Sequence, residues 1–194
     1  MEQGASPREL ALIVGLGNPG REYRSSRHNV GFRCVELLAR RHGITLSERR
    51  RHATLGQGRV ADHPAVLAKP RTFMNLSGGA VRYLLDRFHG RGSRLLVVVD
   101  DMDLPLGTLR LRAAGTSGGH RGLDSIIDEL GSQDFARLRI GIGRPGGAVS
   151  PVGHVLGEFS AEEEPQVKEA LERAAAIVEA VLTEGIEAAM NRCN

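Results

Sequence analysis

Four polar residues have the types and placement that acyl chemistry needs: His28, Asp100, Asn18 and Asn75. His28 lies just before Asn29, a plausible N-cap, and the stripe Val30, Cys34, Leu37 and Leu38 at helical spacing. The positive end of that helix dipole disfavours imidazolium, which helps keep the ring neutral and able to accept a proton. A carboxylate such as Asp100, bonded to the other ring nitrogen, would fix the tautomer and steady the imidazolium as it forms. Histidine and aspartate without a protein nucleophile leave water as the attacker, so the reaction class is general-base hydrolysis of an activated acyl bond. Asn18 or Asn75 can supply a neutral donor to the oxyanion. Taken singly, His28 also reads as a capped surface histidine and Asn18 as the turn residue of Asn18-Pro19-Gly20.

The elements decide whether these residues meet. Strand candidates are Ala11–Leu16, Ala53–Val60, Ala65–Ala68, Arg94–Val99, Thr108–Ala113 and Arg137–Ile142. Leu95–Val99 is apolar on both faces, as a doubly covered central strand must be. Further helical stripes are Val81, Leu84, Leu85, Phe88 and Leu123, Ile126, Ile127, Leu130. A C-terminal helix opens with the capping box Ser160 and Glu163 and carries Val167, Leu171, Val178 and Leu182. Before it, Arg144–Gly153 reads as a mobile loop. The alternation predicts an α/β fold: one three-layer sandwich over residues 10–194, with a mixed, largely parallel sheet between helices, after a disordered tail at 1–9. If their strands are parallel, Asn18 and Asp100 open on one sheet edge, within reach of Asn75. Such edges are where α/β folds collect ligands.

Three other motifs compete. Gly15–Gly20 is a literal GxGxxG, but no helical stripe opens at Arg21–Arg27, and Gly141–Gly146 repeats the pattern elsewhere. Gly115-Thr116-Ser117-Gly118-Gly119 is a literal GxSxG, followed by Asp128 and His154 in the order of an α/β-hydrolase triad. The strand before it alternates arginine and leucine, unlike the buried strand of a nucleophile elbow. Asp100-Asp101-Met102-Asp103 could hold a divalent metal but lacks the rest of a calcium loop, and the seven histidines include no HxxxH or HxH pair, so the pattern leaves a metal site open but unsupported.

The chain has 194 residues, 41% hydrophobic and 25% charged, in keeping with one soluble globular domain. Its apolar runs are too short for a membrane span, and Met1–Leu10 lacks a signal peptide's apolar core. Two cysteines, Cys34 and Cys193, exclude a disulfide framework and fit a reducing cytoplasm. Residues 1–144 carry a net +9 and the remainder −6, which suits either a polyanion partner or a solvated basic face. Gly118-Gly119-His120-Arg121-Gly122 opens a helix where free N–H groups and an arginine suit phosphate. Arg112 and Arg139, if they share a face, make either a two-pronged phosphate clamp or cross-strand surface charge.

With these residues assembled, the sequence closely resembles the bacterial peptidyl-tRNA hydrolase family. The matching blocks are Val14–Gly20 with Tyr23; Arg27–Phe32; Lys69–Gly78; Asp100–Gly107; Arg137–Gly143; and His154–Gly157, in order over nearly the whole chain. The resemblance implies hydrolysis of the ester joining a peptide to the terminal ribose of tRNA, releasing stalled tRNA for reuse, by a cytoplasmic monomer without metal or cofactor. It makes His28 the general base, Asp100 its orienting carboxylate, and Asn18 the residue that favours a blocked amine over a free aminoacyl group. Tyr23, Phe73, Met74 and Asn75 fall at or beside positions that contact the tRNA end and its peptide. Arg112 and Arg139 match basic positions linked to the tRNA 5′-phosphate region, and Arg144–Gly157 resembles a mobile lid. Arg121 stands where the family often carries asparagine and can grip RNA phosphate instead. Val99 and Asp101 replace a common histidine and glutamate. A non-catalytic RNA-binding scaffold and a Ser117 hydrolase are the competing readings.

Overall fold

The computed structural model describes residues 10–89, 94–147 and 149–194; the tail expected at 1–9 lies outside them. The elements run β1 (Ala11–Gly15), α1 (Val30–Arg41), β2 (Glu48–Arg49), β3 (Ala53–Val60), β4 (His63–Pro70), α2 (Ser77–Arg87), β5 (Leu95–Asp101), β6 (Leu109–Arg112), α3 (Arg121–Leu130), β7 (Ala136–Gly141), α4 (Pro151–Leu156), α5 (Glu164–Glu184) and α6 (Ile186–Cys193). The strands form one sheet in the order β2-β3-β4-β1-β5-β7-β6. Strand β1 pairs in parallel with β4 and β5, and β5 with β7, while the flanking pairs are antiparallel.

Side-chain alternation sorts the core into two layers. Ile13, Leu96 and Val98 pack against α1, α5 and α6, while Leu12, Val14, Val97 and Val99 pack against α2 and α3. The three-layer mixed sandwich is therefore the observed architecture. Strands β3 and β4 form a hairpin whose turn residues, Ala61 and Asp62, both have positive φ. No glycine marks that turn, so the sequence pattern misses it.

Two contacts place the site. Helix α1 enters against the ends of β1 and β5 at Gly31, where a Cβ would lie 2.4 Å from the Val98 carbonyl oxygen and 2.6 Å from that of Leu16. Only glycine permits that approach, which carries His28, three residues earlier, over the end of β5. Arg27 then pins the turn: its N–H donates to the Gly157 carbonyl at 2.8 Å, and its guanidinium spans Glu163 at 2.7 and 3.0 Å. The capping box forms as expected, Ser160 N–H to Glu163 at 2.8 Å and Glu163 N–H to Ser160 Oγ at 3.3 Å. Part of the expected loop at Arg144–Gly153 is instead helix α4, capped by Ser150 Oγ.

Candidate active site

The sheet edge brings His28 and Asp100 together. His28 Nδ1 lies 2.7 Å from Asp100 Oδ1, on a carboxylate only 2% exposed. A second imidazole meets the same oxygen: His120 Nε2 lies 3.0 Å from it. The other His120 nitrogen, Nδ1, accepts the N–H groups of Gly122 and Leu123, both at 3.2 Å. An imidazole nitrogen that accepts two amide protons carries none itself, so the His120 proton sits on Nε2 and is donated to Asp100. His120 is thus both the N-cap of α3 and a partner of Asp100. The sequence pattern places it only in a phosphate loop, and the signal for its cap role is a histidine at a helix start, directly after a glycine pair.

Burial would raise the Asp100 pKa, but His120 and then His28 outweigh it and hold the carboxyl well below the usual carboxylate range. An ionised carboxylate only accepts, so His28 donates from Nδ1 and keeps its lone pair on Nε2. That is the tautomer a general base requires. Among the described residues, His28, Asp100 and His120 also form the one group with metal-ligand atoms close together, within 4.8 Å. Their hydrogen bonds already account for this cluster: both nitrogens facing Asp100 carry protons, and the remaining His120 nitrogen is taken by the helix.

Asn18 is fixed from both ends. Its N–H donates to Asn29 Oδ1 at 2.7 Å, and Asn29 Nδ2 donates to the Asn18 carbonyl at 3.0 Å. This corrects the expected role of Asn29, whose side chain makes no cap bond to α1. Asn18 Oδ1 in turn accepts the Met74 N–H at 2.8 Å. With that oxygen committed, Nδ2 is the free end of the amide, a neutral oriented donor.

These groups line a cleft of about 450 Å³ with Asn18, His28, Phe73, Met74, Asn75 and Asp100 on one side and α4 on the other. Phe73, Val152 and Leu156 expose apolar surface there, and Tyr23 backs Phe73 edge-on at 6.4 Å between ring centroids. A larger hollow of about 820 Å³ opens at the opposite sheet edge, by Ala11, Leu95 and Ala136, away from the His28–Asp100 pair.

The family model described as peptidyl-tRNA hydrolase matches residues 12–194. The chain belongs to the peptidyl-tRNA hydrolase family. A relative of that name from Syntrophomonas wolfei is 53% identical over 186 residues, covering 95% of this chain and 100% of the relative. One from Dehalococcoides mccartyi is 46% identical over 188 residues, covering 95% and 100%. The crystal structure of peptidyl-tRNA hydrolase from Acinetobacter baumannii superposes with a TM-score of 0.90 at 38% identity, covering 98% of this chain and 97% of that one.

Within this peptidyl-tRNA hydrolase fold, two expected phosphate contacts change. The β6–β7 register sets Arg112 opposite Arg137 and Arg110 opposite Arg139, so all four point to one face. The Arg139 guanidinium, however, bonds Asp101 at 3.1 Å and the carbonyls of Thr116 and Ser117 at 3.0 and 2.9 Å. It ties down the turn before His120 and is no free prong, whereas Arg112 is exposed. Arg137 is buried on the carbonyls of Gln133, Phe135, Gly115 and Thr116; burial, reinforced by Arg139, pulls its pKa down to about 10. The amides expected to be free at Gly118–Gly122 are also partly spent, since Gly122 and Leu123 serve His120, and Gly119 serves Ser117 Oγ.

Ser117 has no triad. The strand before it, β6, is the sheet edge, and the Ser117 hydroxyl oxygen accepts from Gly119 N–H at 3.1 Å. His154 bonds the Gly143 carbonyl at 2.8 Å instead. The two arginines should therefore respond differently to mutation. Arg139→Ala should lower kcat and thermal stability at every salt concentration. Arg112→Glu should raise KM chiefly at low salt, flattening the log–log salt dependence by about one phosphate's contribution. Steady-state kinetics between low and moderate salt separate the two.

Proposed function

We propose that this chain hydrolyses the ester joining a peptide, or an N-blocked aminoacyl group, to the terminal ribose of tRNA, using water activated by His28. The observation that carries the mechanism is the 2.7 Å contact of His28 Nδ1 with the buried Asp100 carboxylate, because it leaves Nε2 as a base. Family membership supports the substrate.

Nε2 takes a proton from water as the oxygen attacks the ester carbonyl. Asp100 steadies the resulting imidazolium, and Asn18 Nδ2 or the Asn75 amide donates to the oxyanion. Collapse of the tetrahedral intermediate breaks the bond to the ribose oxygen, which takes back the proton from His28. No acyl-enzyme forms. General-base assistance contributes ~10²–10⁴-fold, and one oxyanion donor adds ~10²–10³-fold. Phe73, Met74 and the α4 face, with Tyr23 behind Phe73, receive the acyl group and the tRNA end, while exposed Arg112 meets phosphate. The enzyme works as one unit over residues 10–194, a cytoplasmic monomer that returns tRNA from aborted translation without metal or cofactor. Among the described helices, none is long and apolar enough to cross a membrane.

The test is release of N-acetylaminoacyl groups from tRNA in excess chelator. Rapid, catalytic release is expected. Binding of tRNA without any release would establish a non-catalytic RNA-binding scaffold instead, and release that needs added divalent metal would remove the metal-free mechanism.

A further inference from the structure

We propose that Arg121 grips the phosphodiester on the 5′ side of the terminal nucleotide, so that the cleft recognises a phosphate as well as an acylated ribose. The inference rests on the function proposed above and adds a contact to the same site.

Among the described residues that line the cleft, the cations are Arg121 and Arg139. Arg139 is fully engaged with Asp101 and two carbonyls. Arg121 is exposed, and no described residue supplies it an acceptor. The nearby carboxylates cannot do so without giving up other partners. Asp100 takes both imidazoles, Asp101 takes Arg139, and Asp103 pairs with Arg144 at 2.8 Å. A guanidinium left unpaired beside carboxylates that already have partners is available to an anionic ligand.

Chain geometry says which anion of the substrate it meets. Arg121 follows His120, whose ring touches Asp100, so its backbone is one residue from a ring in contact with the catalytic pair. The ester sits on the ribose of the terminal nucleotide, and the nearest phosphate hangs from the 5′ oxygen of that same ribose. A long side chain starting beside the pair and directed to the exposed mouth can reach it. The α3 amides do not compete for this anion, because Gly122 and Leu123 are held by His120 and the Asp124 N–H by the His120 carbonyl at 2.9 Å. The planar guanidinium fork suits phosphate oxygens better than the point charge of lysine does.

Two N-acetylaminoacyl esters with the same acyl group test this: one on adenosine, which lacks phosphate, and one on cytidylyl-(3′→5′)-adenosine, which carries the phosphodiester. The selectivity of kcat/KM for the second over the first should fall roughly tenfold in Arg121→Ala and recover in part in Arg121→Lys. On N-acetylaminoacyl-tRNA, Arg121→Ala should raise KM and reduce the salt slope by about 0.7, one single-strand phosphate. That measurement decides the matter if the short esters turn over too slowly. Equal losses on both esters, or an unchanged salt slope, would overturn the contact and place Arg121 against the acyl group or in a structural role. If wild type hydrolyses neither the esters nor the tRNA substrate, the functional reading fails, which is a different result from failure of the Arg121 contact.

Discussion

His28→Ala should lower the single-turnover rate on N-acetylaminoacyl-tRNA by ~10²–10⁴-fold while tRNA binds almost as before. No neighbouring group can replace the lost base. His120 gives its Nε2 proton to Asp100 and has its lone pair tied to Gly122 and Leu123. Asp101 and Asp103 are held by Arg139 and Arg144. On the proposed mechanism what remains is the donor set of Asn18 and Asn75, which would lower the barrier for unassisted water but generate no hydroxide. The substitution also leaves the buried Asp100 with one donor instead of two, which costs about 1–3 kcal/mol. Unfolding should therefore be measured beside activity, so that the rate is taken at a temperature where the variant is folded. Added imidazole should restore part of the rate by entering the space the ring vacates. A loss of less than tenfold in the folded variant would move the chemistry away from His28.

The contrast between His28 and its surroundings shows what a sequence can and cannot disclose. Periodicity finds β1, β5 and the apolar stripes because each rests on side chains a few residues apart. That Asn18 and Asp100 share an edge follows from two strand ends opening there, a rule of topology, and the close approach of α1 at Gly31 then sets His28 on Asp100. The roles of Asn29, His120 and Arg139 do not follow from local pattern. A residue before a helix is read as a cap, yet Asn29 turns back eleven positions to clasp the Asn18 backbone. His120 does cap its helix, a use of imidazole that short-range rules rank below serine or aspartate. Strand parity correctly puts Arg112 and Arg139 on one face, but whether a guanidinium is free depends on carbonyls in a loop more than twenty residues away. Strand β2, only Glu48–Arg49, is too short to show any period.

Asp100→Asn isolates what the carboxylate does by charge from what it does by shape. In the native protein one oxygen, Oδ1, receives both imidazoles. An amide oxygen in the same place can accept both N–H groups, so the rings need not move. The negative charge that steadies the imidazolium is gone, and kcat should fall by ~10²–10⁴-fold. The pH dependence of stability carries a sign. Burial works against the Asp100 charge, but His120 and then His28 hold the carboxyl well below its ordinary value, so its contribution to stability is present at neutral pH and is lost as pH falls through the acid range. Asp100→Asn removes that titrating group, and thermal unfolding followed against pH should lose less stability on acidification than the native protein does. A folded Asp100→Asn variant whose kcat stays within tenfold of native would show that Asp100 supports the fold rather than the base.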